Sequence, residues 1–160
     1  MTYGIVHDQV SARICVEYFT IGHPPVFATV SPTLLGIGWG INATWWVGLI
    51  LGIPLALAAR AGRWPKRNAA SLVRPVVILL LVCALGALLA GAIGHQLAAS
   101  GKVWLTEPLA SQVPITRHVP FLSDLWAHSA SYLLGFFGGL VLAMIVFVGR
   151  VRQGVGLTIP

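Results

Sequence analysis

Three stretches of this chain, residues 34–59, 76–98 and 125–148, contain no Asp, Glu, Lys or Arg. Each is longer than the ~18 residues at which an uncharged apolar run reads as a membrane span. In hydrocarbon every backbone N–H and C=O has to be bonded within the segment, so isolated runs of this kind fold as helices. The sequence therefore predicts an all-α membrane protein with three transmembrane helices. Only 9% of the residues are charged, against roughly 25% in a soluble domain, which excludes a water-soluble enzyme and a disordered tail.

The remaining residues divide a single membrane domain, 1–160, into a tail (1–33), a basic loop (60–75), a second loop (99–124) and a C-terminal tail (149–160). The formal charge of +6 does not form a nucleic-acid patch. Arg60, Arg63, Lys66, Arg67 and Arg74 lie between the first two spans, and Arg150 and Arg152 follow the third. The loop after the second span has only Lys102 and Arg117. Under the positive-inside rule this places the 60–75 loop and the C-terminus in the cytoplasm and the N-terminus outside. Nothing at the N-terminus has the form of a cleavable signal peptide. Pro32 and Pro75 stand near the first turns of two spans, and Pro54 should kink the first.

Asp8, Arg13 and Glu17 exclude a fourth span in the tail. Residues 5–19 read instead as an amphipathic helix at the outer interface, ended by Gly22, Pro24 and Pro25. Its mixed face would carry His7, Val10, Ser11, Ile14, Glu17 and Tyr18, with Arg13 and Glu17 paired at i, i+4. Small residues recur every fourth position: Gly36, Gly40, Thr44, Gly48 and Gly52, then Gly86, Ala90, Gly94 and Ala98, then Ala127, Ser131, Gly135, Gly139 and Ala143. Such ridges allow close helix packing within the chain, in a homo-oligomer or against a partner subunit. Cys15 and Cys83 lie in different segments and read as inert.

All five histidines and all four acidic residues fall on the outer side of this topology. The positive-inside rule makes no such demand on His, so a shared outer site is expected. His95 and His128 come to similar depth on adjacent antiparallel spans, and Asp124 is placed to hold the second ring nitrogen of His128. The expected metal ligands are His95 and His128, with Glu17, His7 or His23 supplied by the tail; Glu17, as ligand or general base, and Asp124, as ligand or as the group holding His128, are the catalytic candidates. Imidazole and carboxylate suit zinc or non-haem iron and permit hydrolytic or redox chemistry. The spacing matches no established metal motif. One alternative is a haem b held by His95 and His128. Another is a non-catalytic subunit or scaffold packed through its small-residue ridges. His118, in TRHVP, reads as an ordinary loop residue.

The segments YGIVHDQVSARICVEYFTIGHPP, LLGIGWGINATWW and WAHSASYLLGFFGG together resemble a family of small bacterial integral-membrane proteins without an assigned activity. The resemblance covers most of the chain. It implies a bacterial inner-membrane location and carries no catalytic role to any residue.

Overall fold

Residues 1–156 are described by a computed structural model, in which all regular structure is helical. The chain runs through α1 (Thr2–Ile14), α2 (Val16–Thr20), α3 (Pro32–Asn42), α4 (Trp45–Arg60), α5 (Ala69–Ala99), α6 (Leu109–Gln112), a 3-10 turn (Ile115–Arg117) and α7 (His118–Gly154). Three stretches are long and apolar enough to cross a bilayer: Pro32–Arg60, Ala69–Ala99 and Ile115–Gly154. This is a multi-pass, all-α membrane protein with an additional N-terminal helix.

Two long helices form its frame. α5 and α7 run antiparallel, with Gly86 against Leu134, Gly91 against Ala127 and Gly138 against Leu79. Both extend beyond the apolar runs. Asn68 caps α5 by accepting from the Ser71 N–H at 2.9 Å, so Pro75 falls inside the helix and not in its first turn. α7 begins at His118, where a loop was expected. α4 also packs on α7 and shares no extended contact with α5.

The first span differs from expectation. It is interrupted at Ala43 and Thr44, and Pro54 lies within the continuous helix α4. The Thr44 hydroxyl donates to the Gly40 carbonyl at 2.5 Å, the back-bond to residue i−4 that bends helices. Ser31 and Pro32 start the span as expected, the Ser31 hydroxyl accepting from the Leu34 N–H.

The tail is also broken, at Cys15, into α1 and α2. α1 lies along α3 with Gly4 against Gly40. A Cβ on Gly40 would stand 2.5 Å from the Ile5 Cα and 2.6 Å from its nitrogen, so only glycine permits this crossing. α1 presents Gly4, Asp8, Ser11 and Ala12 to the bundle and leaves Val6, Val10 and Ile14 exposed. Its polarity is thus inverted relative to a helix on a water-soluble protein. Arg13 and Glu17 do not pair: Arg13 donates to Gln9 and Thr33, and Glu17 pairs with Arg117 at 2.9 Å.

At the opposite end, the basic one, Arg150 is fully buried, and no carboxylate among the described residues pairs with it. Its guanidinium donates to the carbonyls of Ala58, Ala61, Trp64 and Pro65 at 2.5–3.1 Å. It thereby caps the C-terminus of α4, where carbonyls lack partners in the helix, and fixes the following loop.

Candidate metal centre

The inverted polarity of α1 places a carboxylate inside the bundle. Asp8 is buried, and its Oδ1 lies 3.2 Å from His7 Nδ1 and 3.2 Å from His128 Nε2 of α7. These donor atoms all lie within 4.8 Å of one another, and no other group of three or more His, Cys, Asp or Glu donors among the described residues does so. The position of α1 depends on Gly4 and Gly40 and on the Tyr3 hydroxyl, 2.6 Å from that of Ser131. Aromatic rings enclose His128. His7 meets it edge-on at 4.4 Å between ring centroids, and Tyr18 covers it at 4.5 Å.

The bonding of His128 defines what its other nitrogen can do. Nδ1 lies 2.9 Å from the backbone carbonyl of Asp124. A carbonyl oxygen only accepts, so Nδ1 carries the hydrogen and Nε2 of the neutral ring is a lone pair. That lone pair faces Asp8 Oδ1. Burial works to raise the Asp8 carboxyl; with a proton on Nε2, hydrogen bonds from His128 and then His7 outweigh this and hold it below the usual aspartate value. Asp8 is therefore a carboxylate at neutral pH. A ring lone pair and a carboxylate oxygen at 3.2 Å require a cation between them, either a proton or a metal ion.

The spacing fits a metal. With bonds of ~2.0–2.1 Å and tetrahedral angles, ligand atoms on zinc stand about 3.3 Å apart. Both edges at Asp8 Oδ1 are 3.2 Å, and the third, between His7 and His128, lies within 4.8 Å. The backbone carbonyl behind His128 Nδ1 is the kind of second partner that orients a ligating imidazole.

The other expected site residues lie apart from this group. His95 is exposed on α5, one position beyond Gly94, which packs against Trp126. His128 Nε2, the atom a haem would need, faces Asp8, so His95 and His128 do not form an axial pair here. His23 Nδ1 donates to the Tyr18 carbonyl at 2.8 Å, and its ring lies against Trp39. Glu17 is engaged by Arg117 and accepts from the Cys15 thiol at 3.4 Å. Burial raises the Glu17 carboxyl, but its own backbone N–H and then Arg117 bring it below the ordinary value.

Asp124 holds His128 through its backbone oxygen and not through the carboxylate that the sequence suggested. Asp124, 1% exposed, lines a separate cavity between α1, α5 and α7, and its Oδ2 has no hydrogen-bond partner among the described residues. His118 bonds to the Val113 carbonyl.

No family model, curated protein or solved structure matches this chain. The site therefore has to be read from its own residues. Asp8 is the member sequence reasoning missed as a ligand. The available signal was a carboxylate directly following a histidine in a segment whose neighbours Val6, Val10 and Ile14 are apolar.

Proposed function

We propose that this is a metal-binding membrane protein in which His7, Asp8 and His128 hold one zinc or non-haem iron ion. The observation that carries the reading is His128 Nε2 standing 3.2 Å from the buried Asp8 carboxylate and within 4.8 Å of the donor nitrogen of His7, with His128 Nδ1 already committed to a carbonyl. Two imidazoles and one carboxylate are a donor set for either metal. Bound there, the ion would keep a coordination position for water or substrate and supply hydrolytic or redox chemistry.

The same reading sets the orientation. Seven of the ten basic residues lie at the end of the bundle held by Arg150, and all four acidic residues lie toward the other. The positive-inside rule then favours a bacterial inner-membrane protein with its C-terminus in the cytoplasm and the metal site toward the outer face.

Elemental analysis of detergent-purified protein tests the site. Wild type is expected to carry about one zinc or iron per chain, and the His7→Ala, His128→Ala double variant none. His95→Ala is expected to keep its metal. Equal metal content in wild type and the double variant would refute the proposal.

A further inference from the structure

We infer that the slot leading from this centre binds a single-chain amphiphile of the bilayer, its apolar chain between α4, α5 and α7 and an anionic oxygen head at the ion. The inference rests on the metal reading above.

The cavity that includes His7, Asp8 and His128 at one end continues away from them between the three helices. Along α7 its wall runs from His128 to Leu142, fourteen residues, or ~21 Å of helix. Beyond Ser131 and Tyr132 the described wall is apolar or glycine, including Leu51, Leu55, Leu79 and Cys83. Its volume, about 290 Å³, is at the lower limit of small-molecule sites, roughly 300 Å³, and suits one chain better than two.

Four glycines of the small-residue ridges belong to this slot. A Cβ on Gly48 or Gly52 would meet nothing within 4 Å, and one on Gly135 would meet only the Cys83 sulfur at 4.0 Å. Gly139 lies against Leu51. In the first and third spans, therefore, part of the ridge leaves space where close helix contact was expected. α4 and α5 share no extended contact over α7, and Gly48, Gly52, Leu80 and Tyr132 are exposed, so the slot is reachable from the side.

Water needs two to four polar partners in a cavity, which the apolar part does not offer. A hydrocarbon chain from the bilayer needs none. At the polar end, two neutral imidazoles and one carboxylate leave a divalent ion with net positive charge, which an anionic oxygen complements. The same head chemistry could arrive from water as a free carboxylate, and the test separates the two sources.

The full chain, purified in detergent and loaded with zinc, is photolabelled with palmitate carrying a diazirine at the chain end, and the sites are mapped by peptide mass spectrometry. Saturable labelling is expected on slot residues such as Leu51, Leu79 and Leu142. Unlabelled palmitate should compete, whereas acetate and hexadecane should not. The Gly48→Leu, Gly52→Leu variant puts side chains into open space and favours helix. It should keep its zinc and lose slot labelling about tenfold. Leu85→Phe, on an exposed face outside the slot, should label like wild type.

Competition by acetate equal to that by palmitate would overturn the amphiphile, as would equal labelling of wild type and the glycine variant. Zinc bound normally without slot labelling would refute this inference and leave the metal reading intact. Slot labelling unaffected by removing zinc would overturn the placement of the head at the ion.

Discussion

The two ring nitrogens of His128 have different partners, and the backbone carbonyl of Asp124 on Nδ1 leaves Nε2 for Asp8. The Asp124 carboxylate does not bond the ring, and its Oδ2 is buried without a partner among the described residues. A buried unsatisfied polar group costs about 1–3 kcal/mol, and replacing it by an apolar group of similar shape can be neutral or stabilising. Asp124→Leu is therefore expected to leave the thermal midpoint in detergent unchanged or raise it, with metal content retained. A marked fall would show that the carboxylate has a partner. Glu17 behaves differently. Its carboxyl is held below the ordinary value of 4.5, so its contribution to stability is fully present above that value and is lost as pH falls through the depressed one. Protection against hydrogen exchange in α2 and in the Ile115–Arg117 turn should fall in that acidic window and stay constant between pH 6 and 8. In Glu17→Gln the acid-dependent change should disappear.

At the scale of elements, the crossing of α1 over α3 determines whether a site exists at all, because α1 carries two of its three donors. Gly40→Ala would bring a Cβ against the backbone of Ile5, which has no flexible end to move aside. The expected cost is about 1–3 kcal/mol, taken up by displacement of α1, with loss of metal and increased proteolysis after Arg13. Retained metal in Gly40→Ala would show that this crossing does not position the donors. The other end of the bundle depends on Arg150. Arg150→Met would strand the Ala58 and Ala61 carbonyls at the end of α4 and those of Trp64 and Pro65 in the following loop, and a loss of about 3 kcal/mol or more is expected. Trypsin should then cut at Arg63, Lys66 or Arg67. Arg150→Lys should restore only part, since an ammonium cannot reproduce the planar fork.

Across the whole molecule, the three membrane-crossing stretches were legible because uncharged length alone identifies them. Their internal detail was not. The break at Ala43 and Thr44 has no proline to announce it and comes with a threonine back-bond, while Pro54 is accommodated inside α4. The histidine site was legible by depth but not by azimuth. His95 reaches a level near that of His128, yet Gly94 occupies the face toward α7 and His95 is exposed. Asp8 was hidden for the opposite reason: a charged residue in a short helix is expected to face water, whereas α1 turns its polar face inward. The central claim is that His7, Asp8 and His128 hold one ion. X-ray absorption at the metal edge of purified wild-type protein tests it most directly. The expected shell contains nitrogen and oxygen ligands at about 2.0–2.2 Å with imidazole scattering from two histidines and no sulfur, and it is lost in Asp8→Ala. A sulfur-containing shell, a shell unchanged in Asp8→Ala, or the absence of any metal edge would contradict the account.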